Sequence, residues 1–262
     1  MSSRFIGVFD SGLGGLNSVK EIIRQLPDEN IVFFGDTANM PYGDKTREEI
    51  ISFTKNSISF LSRYDLKAFL IACNTSDSNA SKTVKTCFDL PIFGVISPAA
   101  KKAVSISENG KIGILATVST IASGEYVRRL KELNENIEVF PMACEKLVPL
   151  IEEGKFLNDD GSLRKAIDEY LDPLLEKGID TLILGCTHYD LIEDLILEKA
   201  PDLKIVSSSV SAVDDIREYL EKNGEREKSN DPKRIYFVSK DPEHFEKIAR
   251  NIIEDISIKK SN

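Results

Sequence analysis

Residues Thr181–Leu191 read TLILGCTHYDL. Thr181–Leu184 is a short β-branched and aliphatic run of the kind that fills a buried strand. Gly185 breaks the run, and a thiol, a hydroxyl and an imidazole follow at Cys186, Thr187 and His188. Tyr189–Glu198 then has a helical pattern. In an α/β protein, ligands gather at the carboxyl ends of strands. A cysteine there also meets the N-terminus of the next helix, which favours its thiolate. A lone cysteine at such a joint is most simply a small core residue. However, Phe69–Thr75, FLIACNT, repeats the arrangement: an aliphatic run, a small residue, Cys73, a polar residue and a threonine. Two thiols at equivalent strand ends point to one site with a sulfur on each side.

Working outward, Arg4–Phe9 reads as a first strand ending at Asp10-Ser11 and a glycine-rich turn, Gly12–Gly15, with a helix over Ser18–Gln25. The glycine spacing is neither GxGxxG nor a P-loop, so it makes no case for a nucleotide. Further strands are expected at Asn30–Phe34, Lys67–Ala72 and Pro91–Ile96, with a long amphipathic helix over Thr46–Tyr64. A helix over Asp77–Phe88 would carry Cys87 into the core.

The pattern restarts at Ser97. Ile112-Gly113-Ile114-Leu115-Ala116-Thr117 matches Ile6-Gly7-Val8-Phe9-Asp10-Ser11, an IG-led strand ending at a hydroxyl. Ile6 to Cys73 spans 67 residues and Ile112 to Cys186 spans 74. The chain therefore reads as two similar α/β domains in pseudo-twofold relation, each a mainly parallel sheet flanked by helices, with the site in the cleft between them. The first domain takes 1–96 plus 208–262, because a late strand (Arg234–Val238) and helix (Pro242–Ile253) follow the close of the second repeat; the second takes 97–207. A turn is expected at residues 158–161, before a helix over Ser162–Lys177.

Composition excludes several classes. At 262 residues, 41% hydrophobic and 29% charged, the chain suits a soluble globular protein with a substantial core. Its net charge of −9 and lack of a basic patch argue against nucleic acid or an anionic membrane as partner. No signal-peptide core or membrane-length apolar run occurs, and the expected location is cytoplasmic. The four cysteines, Cys73, Cys87, Cys144 and Cys186, form no CxxC pair, and there are two histidines, His188 and His244. Disulfides and a Cys/His metal site are therefore not expected.

Two acid/base groups on opposite faces of a carbon can remove a proton from one side and return it from the other, inverting a stereocentre. A free thiol, with a pKa of about 8.5, needs help to ionise at neutral pH. Asp10 is placed to assist Cys73, and His188 to assist Cys186. The carbanion would be stabilised by helix N-termini and the hydroxyls of Ser11, Thr75, Thr117, Thr120 and Thr187. Two other uses of these residues compete. Cys186 with His188 as base would make an amidase or acyl transferase, although one intervening residue looks too short for a local pair. A non-catalytic two-domain module closing on a small anion would leave the second thiol unexplained.

Six stretches carry a resemblance: IGVFDSGLGGL (Ile6–Leu16), FFGDTANMPYGDKT (Phe33–Thr46), ACNT (Ala72–Thr75), ATVST (Ala116–Thr120), LVPLIEEG (Leu147–Gly154) and GCTHY (Gly185–Tyr189). In this order they are similar to the bacterial glutamate racemases of the cofactor-independent aspartate/glutamate racemase superfamily, across most of the chain. The resemblance implies interconversion of L- and D-glutamate, supplying D-glutamate for peptidoglycan and so for cell-wall biogenesis and cell shape, without pyridoxal phosphate or metal. It implies that Cys73 deprotonates D-glutamate and Cys186 L-glutamate, assisted by Asp10 and His188. Substrate contacts would come from Asp10, Ser11, Pro41, Tyr42, Gly43, Asn74, Thr75, Thr117, Thr120, Thr187 and His188, and the molecule would be a homodimer. Aspartate racemases typically carry Glu where His188 stands, which favours glutamate here. Two departures stand out. Ser76-Asp77-Ser78 replaces the small apolar residues that usually follow CNT, so that Asp77 either caps its helix or raises the pKa of Cys73. Cys144-Glu145 replaces a frequent Cys-Pro.

Overall fold

The structure, a computed structural model, describes residues 4–158 and 160–261. Asp159 of the expected 158–161 turn and the outermost residues 1–3 and 262 of the first domain lie outside the described residues. The first lobe runs β1 (Phe5–Asp10), α1 (Gly15–Gln25), β2 (Asn30–Gly35), α2 (Arg47–Leu61), β3 (Leu66–Ile71), α3 (Asn74–Val84) and β4 (Ile92–Gly94). The second runs α4 (Ile96–Ile106), β5 (Lys111–Ala116), α5 (Val118–Ala122), α6 (Glu125–Leu133), β6 (Glu138–Ala143), α7 (Leu147–Glu152), α8 (Ser162–Leu175), β7 (Thr181–Gly185), α9 (Glu193–Lys199) and β8 (Lys204–Ser207). The chain then returns through α10 (Ser208–Lys222), β9 (Arg234–Val238), α11 (Pro242–Ala249) and β10 (Ile258–Lys260).

Both sheets are wholly parallel. The first has the order β10-β9-β2-β1-β3-β4 and the second β6-β5-β7-β8. The core order 2-1-3-4 recurs as 6-5-7-8, so the repeat expected from the two IG-led strands is a repeat of topology. β1, β2, β3 and β7 are buried along their whole length. That is why they read as continuous apolar runs rather than alternating ones: parallel strands are covered on both faces. One apolar cluster joins the lobes, from Ile6 and Val8 of β1 through Ala99 and Ala103 of α4 to Ile112 and Ile114 of β5. Separate clusters cover the outer face of each sheet.

In each sheet the chain reverses its winding direction between the first strand and its two neighbours, opening a crevice at the strand ends. Asp10 and Cys73 end up beside one such crevice, Thr117 and Cys186 beside the other. α1 starts three residues earlier than its pattern suggested, directly from the glycine turn. α2 opens on a capping box: the Glu49 N–H donates to Thr46 Oγ1 and the Thr46 N–H to Glu49 Oε2.

The placement of Cys87 differs from expectation. α3 begins at Asn74, immediately after Cys73, and so ends at Val84; Cys87 lies in the turn beyond it and is exposed. Its thiol donates to the Thr83 carbonyl at 3.4 Å. The Tyr189–Glu198 helix is also divided: a 3-10 turn over Thr187–Ile192 precedes α9. β10, at the sheet edge, had no distinct apolar pattern. Among the described residues no helix is long and apolar enough to cross a membrane.

Candidate active site

Cys73 and Cys186 open the first turns that follow β3 and β7, and both line one pocket between the lobes. The pocket also takes Ser11, Pro41, Tyr42, Gly43, Asn74, Thr75, Thr117, Thr187 and His188 from the expected set. Asp10 and Thr120 are not on its wall. Each stands behind it and supports residues that are. Thr120 and Thr117 bond each other at 2.9 Å, and Thr75 bonds Thr117 at 2.9 Å and Thr120 at 3.2 Å, a triangle of hydroxyls spanning the lobes. Among the described residues no lysine or arginine lines the pocket. A bound carboxylate would therefore rely on hydroxyls and on free N–H groups such as those at the start of α3.

Around the first thiol, Cys73 Sγ donates to Ser11 Oγ at 3.5 Å, and Ser11 Oγ donates to Asp10 Oδ1 at 3.5 Å. The Gly12 N–H donates to the same Asp10 oxygen at 2.9 Å, and Thr187 Oγ1 donates to the other at 3.0 Å. Asp10 is fully buried, and burial raises its pKa to about 6 against the pull of His188, Gly12 and Thr187. Burial, and then the Asp10 charge, push Cys73 up to about 11. Ser11 thus links the thiol to the carboxylate that opposes its ionisation, and is placed to relay its proton.

Around the second thiol, the structure corrects the view that Cys186 and His188 are too close in sequence to pair. His188 Nδ1 lies 3.6 Å from Cys186 Sγ. Cys186 is extended (φ −149°, ψ 133°), and the 3-10 turn that starts after it folds the ring back over the sulfur. The other ring nitrogen lies 2.5 Å from Glu152 Oε1. Burial alone would lower the His188 pKa, but its bonds to Cys186 and Glu152 win, and it stands well above the ordinary 6.5. Burial likewise works to raise Glu152, yet the His188 bond and charge outweigh it and hold it below the ordinary carboxylate range.

Glu152 was not among the expected site residues. It is the last residue of α7, within the LVPLIEEG stretch, whose apolar spacing gives only an amphipathic helix. Asp36 was missed as well. It directly follows β2, as Asp10 ends β1, and anchors the loop that carries the Pro41-Tyr42-Gly43 wall. Tyr42 Oη donates to Asp36 Oδ2 at 2.6 Å, and Asn39 and Ser239 also donate to this carboxylate. Cys144 reaches the pocket wall too, and burial pushes it up to about 12, leaving it a protonated lining residue. Asp77 is not among the main groups that shift Cys73. Its carboxylate turns away, into the space left by Gly94, and accepts the Ile96 N–H at 2.9 Å, so it caps α4 rather than its own helix.

The chain is similar to known proteins along most of its length. The family model described as Asp/Glu/Hydantoin racemase matches residues 6–216. A glutamate racemase of Sulfurihydrogenibium sp. is 40% identical over 259 residues, covering 97% of this chain and 96% of that protein. Among solved structures, a glutamate racemase isoform from Bacillus anthracis superposes with a TM-score of 0.96 at 36% identity, over 100% of this chain and 98% of the other. A glutamate racemase from Francisella tularensis, solved with D-glutamate, gives 0.90 at 33%, over 99% and 97%. An aspartate racemase from Picrophilus torridus shares the fold at 18% identity, with a TM-score of 0.60 over 86% of this chain and 96% of the other. The match over residues 6–216 and the 40% identity across nearly the whole chain place it in the aspartate/glutamate/hydantoin racemase family.

Proposed function

We propose that this protein interconverts L- and D-glutamate by moving the Cα proton between Cys73 and Cys186. The carrying observation is that equivalent strands of two similarly wound sheets each deliver a cysteine to one pocket. The division into 1–96 with 208–262 and 97–207 fits a site that closes on its substrate from both sides. In the direction from L-glutamate, the Cys186 thiolate takes the Cα proton beside the imidazolium of His188, which donates to a charged sulfur at 3.6 Å. The protonated Cys73 gives its proton to the opposite face. The reverse direction starts at Cys73, whose proton first passes to Asp10 through Ser11. Each acid/base group supplies about 10²–10⁴-fold. The hydroxyls of Ser11, Thr75, Thr117 and Thr187 and the α3 N-terminus hold the carboxylates as negative charge develops, with Thr120 supporting Thr75 and Thr117 from behind. Pro41, Tyr42, Gly43 and Asn74 complete the substrate wall. The thiols suffice as proton carriers, so the reading calls on no cofactor. It carries with it a cytoplasmic homodimer that supplies D-glutamate to peptidoglycan.

The test is NMR of L-glutamate in D₂O with purified protein, and L-aspartate in parallel. Loss of the Cα–H signal with formation of D-glutamate, abolished in both Cys73→Ala and Cys186→Ala, is the expected result. Exchange of aspartate alone would reassign the substrate and the role of His188.

One observation favours a second reading. Cys186, His188 and Glu152 form a nucleophile–base–orienter line suited to acyl transfer. That reading leaves Cys73 without a role. It predicts a covalent acyl adduct on Cys186, visible by mass spectrometry with activated esters, and activity that survives Cys73→Ala.

A further inference from the structure

Tyr126 does not line the reaction pocket, yet it is 2% exposed, and its hydroxyl donates to Asn74 Oδ1 at 2.6 Å. Tyr126 stands on α6 of the second lobe, whereas Asn74 follows Cys73 in the first. Asn74 Nδ2 donates in turn to Ser208 Oγ at 3.0 Å. Ser208 opens α10, where the chain has just crossed back from the second sheet. One side-chain amide is thus gripped at its oxygen by the second lobe and at its nitrogen by the return crossover. Asn74 and Ser208 are as fully buried as the tyrosine. No solvent can replace a lost partner, and such groups are costly to leave unpaired.

The other ties of this turn point the same way. Thr75 bonds Thr117 and Thr120 at the start of α5, and Asp77 accepts the Ile96 N–H at the outward crossover. The first turn of α3 is therefore fastened to both crossovers and to two helices of the second lobe. Cys73 is the N-cap of that helix, so the position of the turn is the position of the sulfur.

We propose that Tyr126 is a positioning residue: by holding Asn74 against Ser208, its hydroxyl makes the approach of the second lobe and the placement of Cys73 a single event. This rests on the two-thiol reading above. Cys186 is oriented by His188 and Glu152, and the hydrogen bonds of the clasp end on the turn that carries Cys73. The Tyr126 ring packs beside Gly185, and phenylalanine keeps that contact while deleting the hydroxyl.

The experiment compares wild type, Tyr126→Phe and Ser208→Ala in three measurements. These are glutamate racemisation in both directions, the ratio of Cys73 to Cys186 alkylation by iodoacetamide mapped by mass spectrometry, and Tm. Small displacements of reacting groups cost large factors, so Tyr126→Phe is expected to lower kcat about tenfold with KM within about twofold. The alkylation ratio should shift by at least about threefold, since the displaced sulfur changes its access. Ser208→Ala should move both quantities in the same direction, and it carries the test if Tyr126→Phe does not fold. A full kcat, or a lowered kcat with an unchanged ratio, overturns the proposal whatever happens to Tm. If wild type itself does not racemise glutamate, the two-thiol reading fails, and the alkylation ratio alone then decides whether the clasp positions Cys73.

Discussion

Thr187 donates its hydroxyl to Asp10 at 3.0 Å, so the residue following one thiol is bonded to the carboxylate that Ser11 links to the other. The contact crosses the two lobes and is buried on both sides. It gives the carboxylate one of its few partners; burial still raises Asp10 to about 6 from 3.8.

That elevation fixes a sign for stability. A carboxyl whose folded-state pKa exceeds its unfolded value contributes stability fully present below about pH 4, and that contribution is lost as pH rises through about 6. Asp10→Asn, which does not titrate, should therefore gain on wild type between pH 4 and pH 7.5, by about 3 kcal/mol if the whole shift is realised. Urea midpoints across that range measure it. A wild-type-to-variant difference that does not change with pH would rule out a buried, titrating Asp10.

Gly14 has ordinary helical dihedrals (φ −57°, ψ −31°), so alanine costs it nothing in backbone strain. A Cβ there would nevertheless lie 2.6 Å from the His188 backbone nitrogen and 2.8 Å from Nδ1. Gly14→Ala should push the His188 turn off Cys186 and lower kcat by about 10²-fold with the fold retained. Gly224 is the opposite case: φ is +65° and no atom lies within 4 Å. Gly224→Ala should cost about 1 kcal/mol of stability and leave kcat unchanged. Steady-state rates and thermal melts of the two variants separate the effects.

Far from the pocket, Lys67 is 1% exposed and its ammonium lies 2.5 Å from Glu29 Oε2, donating also to the Glu225 carbonyl at 2.7 Å. Removing Lys67 takes the nearest cation from buried Glu29 and leaves it Arg226 Nε at 3.7 Å and the Glu227 N–H at 3.0 Å, so Lys67→Met should destabilise by about 3 kcal/mol, the low end for a broken buried pair. Lys67→Met with Glu29→Gln should recover much of that loss. Activity per folded molecule should stay at the wild-type level in both. Chemical denaturation with active-site titration measures the two quantities, and a reduced kcat in the double variant would show that this pair reaches the site.

How much of this was legible in the sequence follows from how far apart the interacting residues lie. Cys73 and Cys186 were legible because each closely follows a buried strand, and a strand end is a local pattern. The repeat of sheet order was legible through the two IG-led strands. Glu152, 36 residues from its partner His188, and Tyr126, 52 residues from Asn74, were not legible, because the first contact forms only when α7 packs on the turn after β7 and the second only when the lobes meet. Cys87 was misplaced for a local reason. The sequence pattern opens the helix at Asp77, whereas α3 begins at Asn74, and the shift at its N-terminus carries through to its C-terminus.

Glu152 gives the sharpest test of the second thiol. His188 is held well above its ordinary pKa although burial opposes this, because Cys186 lies on one side of the ring and Glu152 on the other. Glu152→Gln keeps a hydrogen-bond acceptor but removes the charge, so the imidazolium loses part of what sustains it and His188 titrates at lower pH. The charged ring is required when sulfur carries negative charge, so the alkaline limb of kcat/KM against pH should move to lower pH. Glu152 is itself held below the ordinary carboxylate range and stays ionised throughout, so the acid limb should not move with it. Glu152→Asp, which restores the charge on a shorter arm, should return the limb part of the way. Profiles from pH 6 to 10 for the three proteins decide it. An alkaline limb that stays in place in Glu152→Gln would mean that the carboxylate only orients the ring, and that the proton on His188 is sustained by the sulfur alone.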